Sequence, residues 1–392
     1  MPAASPTNRR KLLIVVTRMD FGGVPEHIMI LLDHLGRTYD TTVACRDVIP
    51  VHRHRIEAAG ARIKLIDLAR TPNPFRDLRA LVNLVRFIRA ERFDIVHSHM
   101  SKGALIGGMA GMLARAPVVL NTAHNFGWLA LTNPLLKRVF WLYDKLLFAL
   151  TLDRLVTISK RQENDIVSAG LIRRDRVQTV LNGIDAAKLR QRAGTGVTRA
   201  ELGIPEDVVL VVTVARLVWF KAIDRLVEAV ALLGNQAANV RFIVLGEGDQ
   251  RPALEALIAE RGLTGRVELL GERADIPRLL GLADIFALPS VSEGMPIAIM
   301  EAMAFGLPVV ATAVDGTPEL VIDKTTGFLV PARDVAAFAA ALARLLDDAG
   351  LRSTMGEAGR LRVEASFTDQ TMAAGMHRLY GEMLGLKSKD RG

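Results

Sequence analysis

Two carboxylates, Glu293 and Glu301, flank seven residues in the stretch Pro289-Ser290-Val291-Ser292-Glu293-Gly294-Met295-Pro296-Ile297-Ala298-Ile299-Met300-Glu301-Ala302-Met303-Ala304-Phe305-Gly306-Leu307-Pro308. Residues 284–288, just before it, predict a short apolar strand. A Ser/Glu/Gly loop follows. Pro296 suits the first turn of a helix, where its missing N–H costs little. The helix then runs through good formers to Gly306, a C′ residue, with Pro308 as a stop. Glu293 therefore sits in a loop at a strand's carboxyl end, and Glu301 one to two turns into the helix. Unpaired N–H groups and a partial positive charge at the helix start suit a phosphate. A diphosphate flanked by two carboxylates that accept hydrogen bonds from hydroxyls is the outline of a nucleoside diphosphate sugar.

Such a loop needs a parallel sheet to hold it. In the first half, β-rich runs at residues 12–17, 41–44, 62–67, 94–97, 118–121, 155–158 and 177–181 alternate with helical patterns. In the second half they recur at 208–214, 240–245, 267–270, 284–288, 308–312 and 327–330. This alternation predicts an α/β chain of two Rossmann-like, doubly wound parallel-sheet domains. Ligands of such sheets bind at the carboxyl ends of the strands, which here would face a central cleft. Residues 185–203 are polar, contain Gly194 and Gly196, and lack periodicity, so the domain linker is placed there. The predicted domains are 1–190 and 191–392, with the last helix able to cross back to the first. The final 60 residues read as helices, including 334–347 and 368–384.

The 392 residues suffice for two ordinary domains, and half of them are hydrophobic. One cysteine, Cys45, excludes an internal disulfide framework and fits a reducing, cytoplasmic compartment. No apolar run approaches membrane-spanning length. Arg9-Arg10-Lys11 before residues 12–16 superficially resembles a signal peptide, but the apolar run is short and Arg18 and Asp20 follow, so it reads as a first strand. The net charge of +8 hides an asymmetry: residues 1–190 hold 29 Lys+Arg against 16 Asp+Glu, and the remainder holds 21 against 26. A basic half suggests an anionic partner. Nucleic acid is disfavoured, because no binding motif with interleaved aromatics is present.

With the loops after the strands added, the chain resembles the retaining glycosyltransferases of the GT-B fold, most closely the large family 4 group, over roughly residues 12–380. Four further motifs carry the resemblance. The turn Phe21-Gly22-Gly23-Val24-Pro25-Glu26-His27 lets backbone approach a ligand at a helix start. In the family it contacts the donor phosphate and the acceptor, which implicates Gly22 and Gly23. Pro25 stands where many relatives have Glu, so no role carries over to Glu26. The second motif is Asn121-Thr122-Ala123-His124-Asn125-Phe126-Gly127-Trp128. The resemblance gives His124 contact with the donor sugar near the reacting centre, although Asn125 replaces the usual Gly. His97 and His99 have weaker claims and would only line the cleft.

The third is Val214-Ala215-Arg216-Leu217-Val218-Trp219-Phe220-Lys221-Ala222-Ile223-Asp224, with Ala222 in place of the usual Gly. Arg216 and Lys221 would clamp the diphosphate and stabilise the charge that grows as the glycosidic bond breaks. The fourth joins Gly246-Glu247-Gly248-Asp249, near the nucleotide, to Gly271-Glu272-Arg273, which would read the base through backbone groups. The resemblance also gives Glu301 the ribose hydroxyls and Glu293 the transferred sugar, with backbone N–H groups of Gly294, Met295 and Ile297 on hydroxyl or phosphate oxygens. The loop Asp315-Gly316-Thr317-Pro318-Glu319-Leu320 reads as structural, with Thr317 capping a helix and Pro318 first in it.

The expected reaction is transfer of a sugar, with retained anomeric configuration, from a nucleoside diphosphate sugar to a hydroxyl. UDP is preferred on base rate alone. No cofactor and no metal are expected, since no His/Cys/Asp group has metal-ligand spacing. Acceptor choice falls to the first domain. At 100° per residue, Arg76, Arg79, Arg86 and Arg89 lie within about 140° of one another on a helix over residues 75–92. Residues 134–150 add Phe140, Trp141, Tyr143 and Phe148 beside Lys137, Arg138 and Lys145. Both helices could rest on an anionic membrane, pointing to a glycan or polyprenyl-diphosphate-linked acceptor at the inner face of a cell membrane. Each could equally pack on a core with a solvated face. Competing readings are a nucleotide-sugar epimerase or phosphorylase of the same fold, an NAD-dependent dehydrogenase and a non-catalytic scaffold. The dehydrogenase lacks a full Gly-x-Gly-x-x-Gly after a strand.

Overall fold

The computed structural model describes residues 9–68, 73–126, 133–194 and 198–389. β1 (Lys11–Val15) and the short β2 (Arg18–Met19) lead into α1 (Gly23–Leu35). β3 (Asp40–Cys45), β4 (Asp47–Val48), α2 (Pro50–Ala58), β5 (Arg62–Leu65) and α3 (Pro74–Glu91) follow. Then come β6 (Ile95–His99), α4 (Met100–Ala114), β7 (Val118–Ala123), α5 (Pro134–Thr151), β8 (Arg154–Thr157), α6 (Lys160–Ser168) and β9 (Val177–Thr179).

After α7 (Ala186–Arg192), a second set begins with β10 (Val209–Val214), α8 (Ile223–Leu233), β11 (Val240–Leu245), α9 (Arg251–Glu260), β12 (Val267–Gly271) and α10 (Ile276–Leu282). It continues through β13 (Ile285–Leu288), α11 (Ile297–Ala304), β14 (Val309–Thr312), α12 (Thr317–Leu320), β15 (Gly327–Val330), α13 (Val335–Asp347) and α14 (Ala349–Ser366). The last helix is α15 (Asp369–Lys389).

The chain divides into two units. One spans residues 1–182 and 369–392, the other 183–368. The first unit's sheet has seven strands in the order β5-β3-β1-β6-β7-β8-β9, and the second's six in the order β12-β11-β10-β13-β14-β15. The pairings given for both are parallel. Parallel strands covered by helices on both faces read as unbroken apolar runs, and LLIV in β1 and VLVV in β10 are such runs.

The sequence places the boundary at residue 190, whereas the chain parts at Asn182 and Gly183, and α15 packs with the first unit against α1. Its Tyr380 is fully buried there. The segment read as an aperiodic linker contains α7. Asp185 caps it by accepting from the Lys188 N–H (2.9 Å), and Ala186 and Leu189 bury its inner face. Seven residues with two apolar contacts are too short to show a period. The β2–β4 pair, two residues per strand, escapes the sequence for the same reason.

The helix that follows Glu293 is α11. It begins one residue later than expected, with Pro296 as its N-cap. Gly306 takes φ 75°, and its N–H and that of Leu307 return to Met303 and Ala302, closing the helix. α14 crosses this end so closely that a Cβ on Gly356 would lie 1.8 Å from the Gly306 carbonyl oxygen. Gly356→Ala is therefore expected to cost at least about 2 kcal/mol in urea denaturation. Gly381→Ala, on α15 with nothing within 4 Å of its new methyl, should instead stabilise by up to about 1 kcal/mol.

Candidate active site

The second unit gathers its chemistry at the carboxyl ends of β10, β11 and β13. After β10 the backbone carries Arg216 and then a 3-10 turn over Trp219–Lys221. The Val291 N–H donates to the Phe220 carbonyl (2.8 Å), which ties this turn to the loop after β13. Across that tie the Lys221 ammonium meets both oxygens of Glu293, at 2.6 and 2.8 Å. Glu293 is 6% exposed and takes a further bond from the Ser290 hydroxyl (2.6 Å). A carboxylate this buried requires such partners. The Arg216 guanidinium and the Lys221 ammonium each stand 5.8 Å from the Phe220 ring, so both positive groups border one aromatic ring.

Asp315 is a residue that sequence reasoning left as structural. Its Oδ2 accepts from the Glu293 N–H (2.6 Å) and the Ser292 hydroxyl (3.0 Å), fixing the loop from below. Asp315 itself sits at φ 43°. Thr317 is not the cap of its helix. Gly316 takes that position, and the buried Thr317 hydroxyl has no hydrogen-bond partner among the described residues. Gly294 contributes its carbonyl to the Gly316 N–H (3.0 Å). Met295 is buried, and Ile297 is the first residue of α11, where N–H groups have no partner within the helix. Glu301 lies partly exposed in the second turn.

Gly246 and Gly271 are adjacent, and the Gly246 N–H donates to the Gly271 carbonyl (2.8 Å). The need for glycine at 246 is steric: at φ 137° a Cβ would stand 2.1 Å from the Ala215 carbonyl oxygen. Gly248 lies as close to the Leu217 carbonyl oxygen. These two glycines let the loop after β11 lie against the backbone of the loop that carries Arg216. Ala222 adopts φ 51°, the left-handed region that the family's usual Gly enters without cost.

In the first unit, a Cβ on Gly22 or Gly23 would meet no atom within 4 Å among the described residues beyond its own chain neighbours and helix backbone. Glu26 is paired with Arg55 (2.9 Å). The next residue, His27, went unremarked in the sequence. It is fully buried, and its Nδ1–H donates to Asn182 Oδ1 (2.8 Å). His99 ends β6, His124 follows β7, and their Nδ1 and Nε2 are 3.0 Å apart. His27 stacks edge-on against His124, with ring centroids 4.7 Å apart.

His97 is held at both nitrogens, by the Tyr380 hydroxyl (2.6 Å) and the Thr122 hydroxyl (2.7 Å), and serves as a fixed wall. Burial pushes His27 down to about 4 and His97 to about 3, and holds His99 and His124 well below the usual imidazole value. All four rings are neutral at ordinary pH. Gly127 and Trp128 of the same motif lie outside the described residues.

Residues 21–188 match the model of Glycosyltransferase Family 4, and residues 196–362 that of Glycosyl transferases group 1. A D-inositol 3-phosphate glycosyltransferase of Salinispora arenicola is 32% identical over 75% of this chain and 69% of its own length. A UDP-Gal:alpha-D-GlcNAc-diphosphoundecaprenol alpha-1,3-galactosyltransferase of Escherichia coli is 29% identical over 79% of this chain and 81% of its own. The crystal structure of Anabaena HepE with UDP and glucose superposes with a TM-score of 0.81 at 21% identity, covering 95% of this chain and all of that one. WaaG, a glycosyltransferase involved in lipopolysaccharide biosynthesis, gives 0.74 at 19% identity, covering 93% and 98%. The chain belongs to the family 4 glycosyltransferases of the GT-B fold.

The pairing of Lys221 with Glu293 has a measurable consequence. Lys221→Met leaves a buried carboxylate without its cation and is expected to destabilise by about 2–3 kcal/mol. The double variant Lys221→Met/Glu293→Gln should recover at least about half of that loss in a thermal or urea unfolding cycle.

Proposed function

We propose that the chain transfers a sugar from a UDP-sugar to a hydroxyl of a lipid-linked glycan acceptor, with retention of anomeric configuration and without a metal in the transfer step. The carrying observation for the donor is the Lys221–Glu293 pair just before α11, with Arg216 bordering the same Phe220 ring as Lys221 and Glu301 further along the helix. Lys221 has three N–H donors, so its bond to Glu293 leaves capacity for a phosphate oxygen. Arg216, Lys221 and the α11 N-terminus take the charge that grows on the leaving diphosphate. Glu293 receives hydroxyls of the transferred sugar and Glu301 those of the ribose. His124 is assigned contact with a sugar hydroxyl, which neutral imidazole suits. Gly246, Gly271, Gly294, Met295 and Ile297 shape the donor pocket, and Gly22 and Gly23 leave open backbone for phosphate or acceptor.

The bond from the anomeric carbon to the diphosphate breaks as the acceptor oxygen bonds to that carbon on the same face. The acceptor proton passes to the departing diphosphate. The protein contributes position and charge complementarity rather than a covalent intermediate.

The acceptor reading rests on the first unit's helices. α5 exposes Leu135 (71%), Val139, Phe140, Leu142, Leu146 and Leu150 (69%), and α3 exposes Phe75 (87%) and Leu78. Exposed apolar side chains in such number, beside Lys137, Arg138 and Lys145, fit an interfacial helix on an anionic surface better than a solvated one. Among the described residues no helix is long and apolar enough to cross a membrane. Contact is therefore proposed to be peripheral, at the cytoplasmic face. The Escherichia coli relative is named for an undecaprenol-diphosphate acceptor, which supports the same class here.

Nucleotide release from UDP-, GDP- and ADP-sugars, with and without a polyprenyl-diphosphate-linked sugar, tests the reading. Release from the UDP-sugar should rise with lipid and fall at least about 100-fold in Glu293→Ala. The product's anomeric configuration, read by NMR, should match the donor's. Release from none of the donors, or a sugar isomer formed without acceptor, would reject it. Separately, the protein should sediment with anionic vesicles at low salt and detach as salt rises. Absence of sedimentation at low salt removes the membrane contact.

A further inference from the structure

The histidines at 27, 99 and 124 arrive from three places in the sequence. β1, β6 and β7 are neighbours at the centre of the first unit's sheet. Their carboxyl ends set the start of the second turn of α1, the last residue of β6 and the residue just after β7 side by side. One ring nitrogen from each histidine lies within 4.8 Å of the other two. The ring centroids form a nearly regular triangle, with sides of 4.7, 5.3 and 5.5 Å. Three imidazoles bound to one tetrahedral ion at about 2.0–2.1 Å would place their centroids about 5 Å apart.

The proton inventory points the same way. Asn182 Oδ1 can only accept, so His27 carries its proton on Nδ1, and its Nε2 holds a lone pair. That Nε2 is buried and has no hydrogen-bond partner among the described residues, and the same is true of His99 Nε2. Asn182 stands to His27 as an outer hydrogen-bond partner stands to a metal-binding imidazole, fixing tautomer and ring orientation. His99 and His124 share one proton across 3.0 Å. An ion entering there displaces that proton to the outer nitrogen of the same ring. His97, locked by Tyr380 and Thr122, packs against His99 at 4.4 Å and prevents it from turning away. His124 is partly exposed, which supplies an entry path.

We propose that His27, His99 and His124 bind a borderline-soft divalent transition ion, Zn²⁺ or Co²⁺, with water as a fourth ligand. Occupancy engages His124 and inhibits sugar transfer. The inhibitory consequence rests on the sugar-binding assignment of His124. The binding itself does not.

Co²⁺ titrated into the metal-free protein, without nucleotide sugar, is the direct test. A saturable visible absorption typical of tetrahedral Co²⁺, displaced by Zn²⁺, is expected. His124→Asn and His27→Gln should weaken binding at least about 100-fold, and Asn182→Ala about 10-fold. His54→Ala, on the exposed face of α2, should leave it unchanged. Near-ultraviolet circular dichroism of each variant verifies the fold. Two results overturn the proposal: no binding by wild type, or an equal signal in folded His124→Asn. If binding holds and Zn²⁺ leaves transfer unaffected, the inhibitory consequence fails while the site stands.

Discussion

A carboxylate taken out of water must be answered by a cation and hydrogen-bond donors, and Glu293 is the place where this chain meets that demand most fully. Lys221, Ser290 and the Asp315-braced loop all converge on it. The convergence links three separate strand ends. It fixes the 3-10 turn after β10 through Lys221, the loop after β13 through Ser290, and the loop after β14 through Asp315. Arg216 gains its position from the same frame, since Gly246 and Gly248 let the neighbouring loop lie against its backbone. The charged groups proposed to meet the donor's diphosphate are thus held in place by one another and by the loops that carry them.

The alternating pattern of strands was legible because parallel strands buried on both faces write themselves as continuous apolar runs, as in β1 and β10. The helix after Glu293 was legible because Pro296, Gly306 and Pro308 are strong local signals. Local signals end where contacts become long-range. Nothing in the spacing of Lys221 and Glu293 announces an ion pair across 72 residues. The histidine triangle was invisible for the same reason: residues 27, 99 and 124 meet only through the order in which β1, β6 and β7 are laid into the sheet. α7 was missed because two buried side chains cannot display a period.

The first unit shows how one residue type serves different ends according to its partners. His97 has both nitrogens bonded and acts as masonry. His27 and His99 have a buried nitrogen each with no hydrogen-bond partner among the described residues. Equal burial depresses the basicity of all of them, so burial alone does not separate the structural ring from the chemically available ones. Hydrogen-bond completeness does.

The return of α15 to the first unit has a consequence for biosynthesis. Tyr380 fills the floor beneath His97, and Asp369 and His377 bond to His34 and Tyr39 near the other end of the chain. On the ribosome these partners emerge only after the whole second unit has been made. The second unit is contiguous and can close its sheet early. The first has its whole sheet by residue 179 but gains the Tyr380 bond to His97 only when α15 is made, so its completion follows that of the second unit.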